Sequence, residues 1–142
     1  MNNSNAIRNT FTKSERLKSK NRIELLFEQG ISKRIGCIKM IYLITDRISG
    51  APVQVMFSVP GKLFRKAVQR NLLKRRMREA YRLNKSSVVG LSGMEGKQLL
   101  IAFIFASDHK ESYHTIETSL KQLLIKIQIS DSKILQQTHT NE

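Results

Sequence analysis

A chain of 142 residues has room for one domain of ordinary size and little more. Twenty-five Lys and Arg against eleven Asp and Glu leave a formal charge of +14, unlike the balanced surface of most metabolic enzymes, and point to a polyanionic partner. The 40% hydrophobic content excludes a merely disordered basic tail. The single Cys37 excludes an internal disulfide and any paired-cysteine metal knuckle, and it fits a reducing compartment.

Residues 1–12 are polar and aperiodic, with neither the apolar stretch of a secretory signal nor the arginines of a transit peptide, so this end is expected to fray and the cytoplasm is the default location. Phe11 either covers the core or stays free. A first helix is predicted from Asn21, an N-cap with Glu24 three residues on, through Ile23, Leu26 and Phe27 to a stop at Gly30. Ile38 to Ile44 is rich in β-branched and aromatic residues, and Val53, Val55, Phe57 and Val59 alternate with Gln54, Met56 and Ser58. These are two strands joined across Ser49-Gly50-Ala51-Pro52. Leu63 to Leu83 reads as a second helix, followed by a mobile Ser/Gly-rich link from Ser86 to Gly96. Leu99 to Phe105 is continuously apolar and reads as an interior strand. The longest apolar run, Leu99 to Ala106, is far short of the roughly 18 residues that span a bilayer. Ile116, Leu120, Leu123, Leu124 and Ile127 mark a third amphipathic helix, and the tail over 130–142 lacks a core-forming pattern and is expected to be flexible. The fold class is therefore α+β, a mixed sheet packed against helices in the order α-β-β-α-β-α, with one domain over 13–129.

Ten basic residues lie between Lys62 and Lys85, opposed only by Glu79. At about 100° per residue, Leu73, Met77, Ala80 and Tyr81 form an apolar stripe, while Asn71, Lys74, Arg75, Arg78, Arg82 and Lys85 gather on the far side in an arc of roughly 100°. The like charges of Lys74, Arg78 and Arg82 at i, i+4 cost on the order of 1 kcal/mol, which bound phosphates would offset. A run of cations is often only a solvated helix face, but here interleaved acids are almost absent. A membrane-surface helix would need large exposed apolar groups opposite its charges, and this stripe is committed to a core.

The stretch Ala67-Val68-Gln69-Arg70-Asn71-Leu72-Leu73-Lys74-Arg75-Arg76-Met77-Arg78-Glu79-Ala80-Tyr81-Arg82-Leu83-Asn84-Lys85 resembles the signature segment of the bacterial ribonuclease P protein component. The resemblance includes Phe57-Ser58-Val59-Pro60 leading into Lys62, Arg65 and Lys66, and upstream Arg16-Leu17-Lys18 with Phe27 and Gly30. It covers about residues 11–128. It implies an accessory subunit of a ribozyme that removes the 5′ leader of precursor tRNA, an endonucleolytic hydrolysis performed by the RNA subunit. The implied partners are that catalytic RNA and precursor tRNA, with no membrane and no obligate protein partner. Carried over by position, Lys62, Arg65, Lys66, Arg70, Asn71, Lys74, Arg75, Arg78 and Arg82 would bind the RNA subunit. Arg16, Lys18, Phe27 and Tyr42 would belong to the leader side, and the crossover between parallel strands would be left-handed. Phe27 and Tyr42 fit a core role as well as a stacking one. The chain departs from the family pattern at Leu72, where Arg is usual, and at Ile23, where an aromatic is frequent and which can pack but not stack a base.

No motif for intrinsic catalysis is present, and none of His109, His114 and His139 has metal-ligand spacing, so no catalytic or metal-binding residue is assigned to the protein. His109 and His114 suit capping or surface roles at the start of the last helix, and Cys37 a small core position. The scattered Glu15, Glu24, Glu28 and Glu79 make a poor cage, so Mg²⁺ is expected to be held mainly by RNA. The competing reading is a ribosomal or other structural RNA-binding protein without a role in cleavage. Sequence-specific DNA binding would want a helix-turn-helix pair, whereas this basic helix is bracketed by strands.

Overall fold

The structure, a computed structural model, describes residues 10–89 and 96–140, with side chains of the last helix followed as far as Ile127. A 3₁₀ turn (Lys13–Glu15) precedes α1 (Lys20–Gln29), β1 (Ile31–Ile35), β2 (Ile38–Asp46), β3 (Val53–Ser58), α2 (Ala67–Asn84), α3 (Ser86–Val89), β4 (Lys97–Phe105) and α4 (Tyr113–Thr140). The mixed α+β class follows the sequence reading, with one strand, the 3₁₀ turn and the short α3 added to the predicted order.

The added strand is β1. Its Ser32, Lys33 and Arg34 hide it from a search for alternation, yet it pairs antiparallel with β2 across the Gly36-Cys37 turn, and its polar side chains suit a sheet edge. Gly36 takes φ +57 there, a left-handed conformation that glycine adopts without strain. The first helix starts before Asn21, because the Ser19 hydroxyl caps it by accepting from the Arg22 N–H at 3.4 Å. The second starts at Ala67 instead of Leu63. The N–H groups of Leu63 and Phe64 turn back to the Pro60 carbonyl, and buried Phe64 anchors the loop. The predicted link is helical over Ser86–Val89 with Val88 buried, and the last helix continues its backbone to Thr140, through most of the predicted tail. Residues 1–9, 90–95 and 141–142, where other parts of the predicted flexible segments fall, lie outside the described residues.

Sheet order is β1-β2-β4-β3, antiparallel except for the parallel pair β3 and β4, which α2 connects. Period-two alternation then sorts side chains to two faces. One face, with Met40, Tyr42, Val53, Val55, Leu99, Ile101, Phe103 and Phe105, meets Leu73, Met77 and Tyr81 of α2 and Ile116, Leu120 and Leu124 of α4 in the main core. The other face, with Ile41, Leu100 and Ala102, meets Leu17 and Leu26 in a smaller cluster, against which Ile23 packs. Burial on both faces explains why β4 reads as unbroken apolar sequence.

The segment before α1 is docked. Leu17 N–H donates to the Val55 carbonyl at 3.0 Å, and the Phe11 ring lies edge-on to Phe57 and Tyr81 at 5.6 and 5.9 Å between centroids. Thr12 and Glu15 form a capping box over the 3₁₀ turn.

Candidate nucleic-acid interface

The apolar stripe of α2 is sealed, with Leu73, Met77, Ala80 and Tyr81 all buried, so the helix is held with its opposite face outward. On that face Asn71 and Arg75 are exposed and Lys74, Arg78 and Arg82 are half-buried, while Lys62, Arg65 and Lys66 stand exposed in the preceding loop. Within this group, Arg82 is the member in a salt bridge, with Nε 3.0 Å from a Glu79 carboxylate oxygen. The Arg82 hydrogen bond holds the Glu79 carboxyl below its ordinary pKa. Nε of Arg78 is buried with no hydrogen-bond partner among the described residues.

Two basic positions behave differently from the sequence expectation. Lys85, at the edge of the arc, is buried. Its Nζ lies 2.7 Å from Glu15 Oε1 and donates to the Thr10 carbonyl, so it clasps the N-terminal segment instead of facing solvent. Burial works to raise the Glu15 carboxyl, but hydrogen bonds from Lys85 and Thr12 outweigh it and leave the pKa below the ordinary range. Arg70 sits on the core-side edge of the helix, and its Nη1 donates to the carbonyls of Phe64 and Arg65 at 2.8 and 2.7 Å, which ties the basic loop to the start of α2. Arg76, assigned no role from sequence beyond its charge, donates to the Glu111 carbonyl at 2.6 Å and joins α2 to the turn before α4.

The four residues expected on the leader side separate. Arg16 and Lys18 are exposed and line one cavity, and Phe27 on α1 keeps 49% of its surface exposed. Tyr42 does not join them. Alternation along β2 turns it to the α2 and α4 face, where it is 1% exposed in the main core, so its ring has no free face for a base. Residues to which the sequence reading gave no binding role complete the cavity, among them Asn21, Arg22 and Gln54. The signal for Gln54 was the alternation of β3, which separates it from Val53 and Val55.

Among the described residues no three His, Cys, Asp or Glu side chains cluster so as to hold a metal ion, and no helix is long and apolar enough to cross a membrane. His109 is exposed, and its ring nitrogens pair with Asp108 at 2.8 Å and Glu111 at 2.9 Å. The Asp108 hydrogen bond leads in raising its pKa. Cys37 is buried near the Ser119 hydroxyl, and burial pushes its thiol up, which leaves it a core residue.

A model of the Ribonuclease P family matches residues 11–128. The ribonuclease P protein component of Porphyromonas gingivalis is 34% identical over 116 residues, covering 82% of this chain and 85% of that one. The component of Chlorobaculum tepidum is 35% identical over 104 residues and 68% of each chain. Among solved structures, the RNase P protein of Thermotoga maritima superposes with a TM-score of 0.60 at 25% identity, over 78% of this chain and 94% of that one. An RNase P protein of Staphylococcus aureus gives a TM-score of 0.58 at 22% identity, over 81% and 95%, a likeness of fold. A match over most of the chain, relatives a third identical and a shared architecture lead to one conclusion: this chain belongs to the ribonuclease P protein component family.

Proposed function

We propose that the chain is the protein subunit of a ribonuclease P ribonucleoprotein, binding the catalytic RNA and the 5′ leader of precursor tRNA while the RNA subunit performs the endonucleolytic hydrolysis, in the cytoplasm. The observation that carries this reading is the outward face of α2. It is a cationic surface that packing against the core turns outward, with Glu79 paired to Arg82 on it.

On this reading Asn71, Lys74, Arg75, Arg78 and Arg82 meet phosphates of the RNA subunit, and Lys62, Arg65 and Lys66 extend that surface. Arg70 contributes by fixing their loop. Guanidinium groups suit phosphate oxygens, and each contact releases condensed counterions. Arg16, Lys18 and Phe27 form the leader side, two cations with one half-exposed ring, the pairing that single strands favour. The protein's part is binding and orientation, and Mg²⁺ belongs to the RNA phosphates.

The test is reconstitution with a bacterial catalytic RNA, comparing precursor cleavage at low Mg²⁺ with and without the protein. A protein-dependent gain that requires the leader is expected. RNA binding without any gain in cleavage would favour a purely structural RNA-binding protein, and precursor cleavage by the protein free of RNA would overturn the division of labour.

A further inference from the structure

Residues 10–17 have little core of their own. No residue of the 3₁₀ turn is buried, and only half-buried Phe11 and buried Leu17 reach apolar surroundings on either side of it. With so little apolar contact to offset the entropy of ordering the chain, the segment depends on polar anchors. On the β3 side these are backbone and amide contacts: the Ser14 carbonyl accepts from the Ala51 N–H at 3.2 Å and from Gln54 Nε2 at 3.0 Å. On the α2 side there is Lys85. Its ammonium takes the Thr10 carbonyl and the Glu15 carboxylate together, so one side chain spans the turn from end to end.

A lysine with a side chain only 7% exposed is costly unless its partners are in place, so this contact is specific in a way that a surface pair is not. What it holds is close to the leader side. Arg16 follows Glu15 directly, and its guanidinium lies over the ring of Phe11 at 5.7 Å, inside the same clasped segment. Lys85 itself caps the C-terminal end of α2, ten residues or about 15 Å of helix beyond Arg75 on the outward face. One helix therefore carries the RNA-subunit surface along its side and grips the leader-side segment at its end.

We propose that Lys85 is a positioning residue for precursor recognition: it binds no RNA, and through Glu15 and the Thr10 carbonyl it holds Arg16 at a fixed distance from the RNA-subunit face of α2. The inference rests on the leader reading above and adds to it a residue that acts only through the protein. With the clasp closed, the turn is ordered before the leader arrives. With it open, the leader must order the turn on binding, at a cost in affinity. Charge alone predicts something else. Removing an acid beside a polyanion strengthens binding and removing a cation weakens it, whereas opening the clasp weakens binding from either end.

The experiment uses the reconstituted holoenzyme with the parent protein, Lys85→Met, Glu15→Gln and the double variant, each below its melting temperature. It measures affinity for precursor tRNA and for mature tRNA, and the affinity of each protein for the catalytic RNA across salt. Each single variant should bind the precursor about fivefold more weakly and mature tRNA as the parent does, and the double variant should be no weaker than either single. The salt slope for the catalytic RNA should stay that of the parent. Glu15→Gln keeps the shape of its side chain and carries the test alone if Lys85→Met does not fold.

A slope lowered by about one unit in Lys85→Met would make Lys85 a phosphate ligand. Unchanged or tighter precursor binding by Glu15→Gln would reduce the pair to its charges, and losses that multiply in the double variant would mean that the two residues act separately. A loss shared equally by mature tRNA would make the clasp a matter of general stability. Each of these results overturns the proposal and leaves the leader reading standing. A parent holoenzyme that binds precursor no better than mature tRNA would instead remove the leader reading, and the proposal with it.

Discussion

Arg70 and Arg75, five positions apart on one helix, show how little a residue type says about its role. Arg75 is exposed on the outward face of α2, whereas Arg70 sits at the core-side edge and spends a guanidinium nitrogen on the Phe64 and Arg65 carbonyls. Replacing Arg75 with Ala should lower the salt slope for binding the RNA subunit by about one unit and leave the melting temperature unchanged by circular dichroism. An unchanged slope would remove Arg75 from the phosphate contacts. Met77 lies on the opposite side of the same helix at 0% exposure, so Met77→Lys puts a charge among Leu73, Tyr81 and Phe103. Thermal melts should show a loss of at least about 3 kcal/mol, and a melt like the parent's would refute the packing. The arc and the stripe were legible because both are local, set by the 3.6-residue period. Lys85 was misjudged because the carboxylate that buries it, Glu15, stands 70 positions away, and the choice between core and stacking roles for Tyr42 stayed open because the side of the sheet that its strand turns it to depends on partners the sequence does not name.

At the scale of the elements, the sequence announced the long helices and the alternating or fully apolar strands. It left β1 silent, since Ser32, Lys33 and Arg34 stand between Ile31 and Ile35 and leave the strand no apolar alternation to display. Gly30 was read as a helix stop, and the structure supplies a different reason for glycine there. Its φ of −71 is open to any residue, but a Cβ would collide with the Leu26 carbonyl oxygen and the Ile41 side chain, where α1 closes onto β2. The glycine thus sets how near the end of the first helix approaches the sheet. Gly30→Ala is expected to destabilise the fold by about 2 kcal/mol, since neither a backbone carbonyl nor a packed isoleucine yields easily. Gly61→Ala, with nothing within 4 Å of the added carbon, serves as the control and should melt with the parent. Equal melting of the two variants would mean that the α1 contact is slack.

For the whole molecule, the +14 charge points to a polyanionic partner, but strand order and register could not be read, because β2, β3 and β4 are each plausible neighbours until long-range pairing chooses among them. The same non-local logic governs the response to acid. Asp46, Glu79, Asp108 and Glu15 all have carboxyls held below their ordinary pKa by hydrogen bonds, from Lys97, Arg82, His109 and the Lys85–Thr12 pair respectively, although burial works against Glu15. A carboxyl depressed by folding lends stability that is complete above its ordinary range, about pH 4.3 for Glu, and that drains away as pH falls through the folded value. Asp46 and Asp108 are open to solvent and Glu79 nearly half so, where screening leaves such pairs worth little. Glu15 is different, because it faces a lysine whose side chain is only 7% exposed and joins the N-terminal segment to the far end of α2. Glu15→Gln removes one charge of that pair and strands the other, so at pH 7 it should cost about 2 kcal/mol, less than a fully buried pair because Glu15 keeps some contact with water. Thermal melts from about pH 6 down to about pH 3 should then fall more steeply for the parent than for the variant, the two curves converging as Glu15 protonates. Parallel curves across that range would show that the clasp contributes nothing to acid sensitivity, and that general repulsion in so cationic a chain accounts for all of it.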